Sequence, residues 1–131
     1  MSSQKEIEVI LARQLASYLV MPIFIVDPAG NLIYYNEPAE LILGRRFEET
    51  GEMPVGEWST LYSPEDESGN PLAPESLPLV VALTQHAPAH RNMWIQGLDG
   101  VRRLIEVTAF PIHGQAERHL GALAIFWEIK A

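Results

Sequence analysis

Hydrophobic residues near the start of the chain recur at the spacing of one face of an α-helix. Ser2 or Ser3 can cap this helix, and Pro22 ends the pattern because proline cannot continue a helix. Two short apolar runs then flank the turn sequence Asp-Pro-Ala-Gly-Asn, so residues 22–35 predict a β-hairpin. The hydrophobic face of the helix is formed by Ile7, Ile10, Leu11, Ala12, Leu15, Tyr18 and Leu19.

The middle of the chain predicts short helices between loops. Asn36 can cap a helix over residues 37–43, which Gly44 ends. The next thirty or so positions are rich in glycine and proline, which leaves one short helix at about residues 55–62. A longer helix is predicted over residues 74–85.

The last third of the chain has strand patterns only, over residues 91–96, 101–112 and 120–129. The predicted order is therefore one helix, two strands, several short helices and three strands. With 131 residues, of which 47% are hydrophobic, the chain has the size and composition of one α+β globular domain.

The charge of the chain is unevenly distributed. Its net charge is −8, and the acidic excess lies within residues 37–75, where Arg45 and Arg46 are the only basic residues. This distribution argues against nucleic-acid binding, which requires clustered Lys and Arg. The acidic stretch is either a solvated face or a docking face for a basic signalling partner.

Other features of the sequence bear on the compartment. The longest apolar stretch, residues 15–26, is interrupted by Ser17 and Pro22 and is too short to span a membrane. The N-terminus has no basic region before an apolar run, so we expect no signal peptide, no membrane insertion and a cytoplasmic protein. Cysteine is absent, which excludes disulfides, thiolate metal sites and a cysteine nucleophile.

The order and spacing of several short motifs resemble the PAS domain family, in particular a bacterial signalling subtype. The motifs are the Asp27-x-x-Gly30 turn, the Asn36-x-x-Ala39 helix start, and Asp99-Gly100 before the closing strands. The resemblance implies a sensory or regulatory module rather than an enzyme. It also implies a five-stranded antiparallel sheet of order 2-1-5-4-3 with short helices on one face. Residues 1–20 would then form an N-terminal amphipathic helix and residues 21–131 the PAS domain.

The resemblance further implies a cavity between the sheet and the short helices. Three inward alanines on the closing strands leave space there, so the cavity either holds a small apolar ligand, such as a fatty acid, or is filled by the protein's own side chains. The residues expected to face this cavity are Phe24, Val26, Trp58, Leu61, Leu79, Leu83, Met93, Ile95, Ile105, Val107, Ala109, Ala122, Ala124 and Phe126.

Haem and flavin are not expected in this cavity. Light-sensing flavin domains of the family use a cysteine near the second helix and amides around the ring, and the predicted lining has neither. A haem sensor needs an axial histidine, but His86 is predicted at the end of a helix and His90 just before a strand. His113 and His119 flank the last loop, where adjacent strand ends could bring them together without further clear metal ligands.

Catalytic motifs are absent from the sequence. Glu106 is the one carboxylate inside an apolar strand, and alternation places it on the outer face, where we expect an ion pair with Arg102 or Arg103. A small cone-shaped α+β enzyme is the alternative function, and it would require a carboxylate that points into the pocket.

The outer face of the sheet is also apolar, because alternation places Leu104, Leu123, Ile125 and Trp127 there. Such a face needs a cover. We expect the N-terminal helix to supply it, through Ile7, Leu11, Leu15 and Leu19, either within one chain or between the two chains of a homodimer. A structural dimerisation domain without a ligand is the remaining alternative.

Overall fold

A computed structural model describes residues 7, 9–11 and 20–129 of the chain. Residues 7 and 9–11 are helical, in agreement with the predicted N-terminal helix. The rest of that helix, including Leu15 and Leu19, lies outside the described residues.

The strands form one five-stranded antiparallel sheet in the order β2-β1-β5-β4-β3. This topology confirms the predicted fold class. The strands are β1 Ile23–Val26, β2 Leu32–Tyr35, β3 Ala89–Gln96, β4 Arg102–His113 and β5 His119–Glu128.

Short helices connect the hairpin to the last three strands. They are α1 Glu37–Leu43, α2 Phe47–Thr50, α3 Val55–Leu61 and α4 Pro78–Gln85, with single 3₁₀ turns at Pro74–Ser76 and Gln115–Glu117. The sequence did not predict α2, and α4 begins four residues later than expected. Leu77 explains the later start, because the residue before a proline avoids helical geometry and Leu77 is extended at ψ 135°.

Asn36 holds the first hairpin and α1 together. Its Oδ1 accepts the backbone N–H of Ala39, as an N-cap does, and also the N–H of Ile23 at 2.9 Å. Its amide nitrogen donates to the carbonyl oxygen of Met21 at 2.9 Å. This buried side chain therefore fixes the direction in which α1 leaves the sheet.

Two loops of the same sequence pattern, Asp-x-x-Gly-Asn, adopt the same geometry. Asp27 Oδ1 accepts the backbone N–H groups of Ala29 and Asn31, and Asp66 Oδ1 accepts those of Ser68 and Asn70. The first loop joins β1 to β2, and the second closes a small bridge between Glu65 and Pro71. The side-chain bonds add to the backbone hydrogen bonds that close both turns.

The hydrophobic core is divided by the sheet into two clusters. The inner cluster lies between the sheet and the short helices and contains the inward residues of all five strands. The outer cluster contains Val9, Ile23, Ile25, Ile33, Leu120 and Leu123. Within the described residues, Val9 is the contact between the N-terminal helical segment and the sheet.

Candidate functional site

The inner core contains a cavity of about 90 Å³. It lies between the sheet on one side and α3, α4 and the segment before α4 on the other. Its walls are almost entirely apolar, with two hydroxyl groups among them. The lining residues are Phe24, Leu43, Trp58, Ser59, Tyr62, Pro64, Leu77, Pro78, Leu79, Met93, Ile95, Ile105, Val107, Ala124 and Phe126.

The structure brings most of the predicted site residues to this cavity. Those that line it are Phe24, Trp58, Leu79, Met93, Ile95, Ile105, Val107, Ala124 and Phe126. The resemblance to the PAS family implied that these strand residues face inward, and the structure places them in the inner cluster.

Five predicted residues lie in or against the inner core but do not line the cavity. Val26, Ala109 and Ala122 are fully buried in the inner cluster. Leu61 and Leu83 pack against that cluster and are only partly buried. Leu83 lies beside Gly30 at the β1–β2 turn, so it covers the edge of the core rather than the cavity.

Several lining residues were missed by the sequence analysis. They come from α1, from α3 and its end, and from the segment leading into α4: Leu43, Ser59, Tyr62, Pro64, Leu77 and Pro78. Tyr62 could have been found from Trp58, because it follows Trp58 by four residues and so lies on the same side of α3. The others, apart from Ser59, depend on how the loops fold back over the sheet.

Aromatic contacts fix one wall of the cavity. The ring of Phe24 stacks on Tyr35 with centroids 5.9 Å apart, and it meets the edge of Trp58 at 5.4 Å. The indole N–H of Trp58 donates to the carbonyl oxygen of Gly30 at 2.8 Å. This bond ties α3 to the β1–β2 turn, so the position of the Trp58 wall is set by the hairpin.

Two buried hydroxyls in the lining, Ser59 Oγ and the phenolic oxygen of Tyr62, have no hydrogen-bond partner among the described residues. Burial, and after it the neighbouring hydroxyl of Tyr35, raises the pKa of Tyr62 far above its ordinary value. Tyr62 is therefore a neutral phenol that can donate a hydrogen bond.

Comparison with solved structures gives the fold a name. The PAS domain of nitrogen regulation protein NR(II) from Vibrio parahaemolyticus is similar at 20% identity and a TM-score of 0.63, covering 91% of this chain and 98% of that chain. The LOV protein of Rhodobacter sphaeroides matches at 13% identity and a TM-score of 0.73, over 95% and 69% of the two chains. The chain has the PAS fold.

A light-state dimer of the fungal blue-light photoreceptor Vivid is also similar to this PAS fold, at 12% identity and a TM-score of 0.64. That match covers 98% of this chain and 97% of the other. No protein-family model matches the sequence. No curated protein matches it either.

Three histidines meet at the edge of the PAS fold, away from the cavity lining. His86 ends α4 in a left-handed conformation and its ring stacks on His119, with centroids 3.6 Å apart. His113 meets His119 edge-on at 4.9 Å, so the two strand ends do bring this pair together. Among the described residues, no three His, Asp or Glu side chains are arranged to hold a metal ion.

Glu106 has a different partner from the one expected. It lies 2.7 Å from Nε2 of His90, on the neighbouring strand β3. Arg102 instead pairs with Glu65 at 2.7 Å and covers the ring of Trp94, and Arg103 pairs with Asp99. The prediction of an arginine partner was wrong because it considered neighbours along the chain rather than the diagonal neighbour on the adjacent strand.

In the ranges that the structure describes, none of the helices is long and apolar enough to cross a membrane.

Proposed function

We propose that the chain is a non-catalytic regulatory module that binds a small apolar molecule in its inner cavity and passes the occupied state to a partner. The observation that carries this proposal is an apolar space at the centre of an otherwise densely packed core. The similarity to the PAS domain of a nitrogen regulation protein supports a role in signalling.

The alternative of a small cone-shaped enzyme is less well supported. That function requires an acid or base that reaches a bound substrate. No Asp, Glu or His is found among the described residues that line the cavity. Glu106, the carboxylate considered for this role, lies on the outer face of the sheet and is paired with His90.

The cavity favours a ligand smaller than haem, flavin or a long fatty acid. An apolar cavity of about 150 Å³ in another protein is filled by benzene alone, and this cavity measures about 90 Å³. No histidine lines it, and the chain has no cysteine for a flavin adduct. A compact apolar molecule of a few carbon atoms is the ligand class we propose.

Homodimerisation is the second part of the proposal. Val9 is buried against the outer face of the sheet, whereas Ile7 and Leu11 are 66% and 58% exposed. One form of the sequence prediction required Ile7 and Leu11 to cover the sheet of their own chain, and these exposures do not fit it. Both side chains are instead available to a second copy of the chain. The Vivid photoreceptor, which shares the fold, is described as a dimer.

The domain division and the location belong to the same proposal. We propose residues 1–20 as the dimerisation helix and residues 21–131 as the ligand-binding domain. We also propose a cytoplasmic protein with an acidic face, within residues 37–75, for a protein partner rather than for nucleic acid.

The test of ligand binding is Ala124→Leu, because Ala124 lines the cavity and faces Ala109 across β4 and β5. Leucine places its extra carbons in the cavity, so the melting temperature should hold or rise while binding of a small apolar probe falls. The matched control is Ala122→Leu. Ala122 is fully buried on the same strand but does not line the cavity, so overpacking should cost about 1–3 kcal/mol.

Native mass spectrometry of the wild type should accompany the thermal melts, because it reports bound mass and oligomeric state together. Equal losses of stability in the two leucine variants, with no bound small molecule in the wild type, would contradict a ligand role. A structural PAS-fold domain without a ligand would then be favoured.

A further inference from the structure

We infer that the inner cavity binds a small neutral molecule through a carbonyl oxygen that the hydroxyls of Ser59 and Tyr62 hold by hydrogen bonds. The ligand class is a short-chain ketone, aldehyde or ester. This inference rests on the proposed function, in which the cavity is a ligand site.

The two hydroxyls are unusual because they are buried and unbonded. The exposed fractions of Ser59 and Tyr62 are 1% and 6%, and neither hydroxyl has a hydrogen-bond partner among the described residues. A buried hydroxyl without a partner is destabilising, because it has lost its hydrogen bonds to water. Both side chains line the same cavity, so a single guest can satisfy both.

Their spacing explains how they act together. Ser59 lies in the second turn of α3, and Tyr62 is the residue that ends this helix. Residues three apart on a helix lie on the same face, about 5–6 Å apart at Cβ. Both residues also line the same cavity, where one carbonyl oxygen has two lone pairs to receive the two hydroxyls.

The neighbouring Thr60 shows that Ser59 is an exception. The Thr60 hydroxyl bonds back to the carbonyl oxygen of Glu57 at 3.3 Å, as is usual for a helical threonine. Ser59 has the same option one residue earlier but makes no such bond. Ser59 is instead a lining residue of the cavity whose buried hydroxyl has no partner among the described residues.

Tyr62 is available as a donor. The Tyr35 hydroxyl is its polar neighbour and raises its pKa, as an acceptor of the Tyr62 proton does, but the pair falls short of full hydrogen-bond geometry. Tyr35 instead donates to the carbonyl oxygen of Arg45 at 2.8 Å and lies 3.1 Å from the Thr50 hydroxyl. Burial raises the pKa of Tyr62, so its proton is present at every physiological pH.

The lining also indicates that the guest is uncharged. No Lys, Arg or His is among the lining residues, so a carboxylate would be buried without a counter-ion. This argument excludes the ionised form of the fatty acid that the sequence suggested. The volume of about 90 Å³ limits the rest of the molecule to a short alkyl group.

Three probes of similar shape, 2-butanone, 2-methyl-1-butene and propionate, test separately whether the guest needs a carbonyl oxygen and whether it must be uncharged. In 2-methyl-1-butene a methylene group replaces the carbonyl oxygen of 2-butanone, and in propionate a charged oxygen replaces a methyl group. Each is titrated into full-length protein whose methionines carry ¹³C methyl groups. Met93 lines the cavity and reports binding, while the buried Met53 does not line it and serves as the internal control.

We expect 2-butanone to shift the Met93 signal at lower concentration than 2-methyl-1-butene, and propionate to leave it unchanged. Ser59→Ala and Tyr62→Phe should each weaken 2-butanone binding by about two- to tenfold and leave 2-methyl-1-butene unaffected. Thr60→Val, the matched control, should change neither affinity. The melting temperature of the free Ser59→Ala and Tyr62→Phe variants should hold or rise, because each loses an unsatisfied hydroxyl.

The outcomes separate this inference from the function on which it rests. Equal affinities for 2-butanone and 2-methyl-1-butene, unchanged in both variants, would overturn the hydroxyl anchor while leaving an apolar ligand site. Tighter binding of propionate would overturn the requirement for a neutral guest. If no probe shifts Met93, the hydroxyls hold water at most, and both the anchor and the proposed ligand site are wrong.

Discussion

The sheet carries two neighbouring cross-strand rows that differ in side-chain size. On the inner face, Phe24 pairs with Ala124, Ala124 with Ala109, and Ala109 with Ala89. Three alanines in succession leave the centre of the sheet without bulk, and the cavity lies over Ala124. The small side chains of the inner row therefore leave an unfilled volume above the sheet.

The adjacent row on the outer face is filled. Ile25 pairs with Leu123, and Leu123 pairs with Phe110. Ile25 and Leu123 belong to the apolar surface against which Val9 packs, and Phe110 is exposed beside it. Side-chain size alone thus separates a face suited to hold a small molecule from a face suited to hold a helix.

The prediction with the largest expected effect concerns Gly121, on the strand β5 that contributes to both rows. Gly121 has a φ of +125°, and a Cβ there would overlap the carbonyl oxygen of Val26. Gly121→Ala should therefore separate β1 from β5, disrupt both rows and cost more than the roughly 1–3 kcal/mol of backbone strain alone. Chemical unfolding measures this loss.

Gly69→Ala is the matched control for that variant. Gly69 also has a positive φ, at +92°, but nothing lies within contact of a Cβ there. It should show the backbone cost without the overlap. Equal free energies of unfolding for the two variants would mean that the close approach of β1 and β5 is not what requires glycine.

A smaller effect is expected on the outer face. Val9 is 4% exposed, so Val9→Ser should lower the free energy of unfolding by about 1.5–3 kcal/mol without changing assembly.

The double variant Ile7→Ser/Leu11→Ser removes exposed side chains and should keep stability but shift the mass measured by light scattering from dimer to monomer. Leu41→Ser, at a residue that is 74% exposed on α1, is the control for lost surface hydrophobicity. An unchanged mass in the double variant would contradict the proposed dimer surface.

The two rows were largely predictable from the sequence because strand alternation is a local property. Ala124 was assigned to the inner face by the family resemblance and Leu123 to the outer face by alternation, and the structure places them on those two faces. The helical period failed at Val9, which is buried although it lies outside the predicted apolar face. The described helical stretch is so short that the way it lies against the sheet, rather than its own pattern, decides which of its side chains are buried.

The loops were harder to predict, although one signal was available. The second Asp-x-x-Gly-Asn loop has the pattern of the first, so Asp66 could have been recognised as a turn residue rather than a solvated carboxylate. The contribution of Leu77 and Pro64 to the cavity carries no such signal. These residues reach the site through contacts between segments far apart in the chain, and those contacts are a property of the fold rather than of local pattern.

The smallest expected effect is a dependence of stability on pH. It arises at Asp99, outside the inner cavity, and ligand binding in the cavity should not share it. Asp99 Oδ1 accepts the backbone N–H of Val101 at 3.1 Å, and its other oxygen lies 3.4 Å from Arg103. These contacts, the Val101 bond first, lower the pKa of Asp99 below its usual value of about 3.9. The stability that they contribute is therefore complete above that usual value and is lost as the pH falls through the lowered pKa.

Asp99→Asn should consequently be less stable than the wild type at pH 7, and the difference should shrink as the pH is lowered towards 3. Thermal melts across this range measure it, with Glu48→Gln as the control for loss of one exposed negative charge.

No lining residue is acidic, so 2-butanone binding at Met93 should stay constant from pH 7 to pH 5, where the fold is intact. A binding curve that follows an acidic titration over that interval would place a carboxylate at the cavity after all, and it would return the cone-shaped enzyme to consideration because that function depends on such a group.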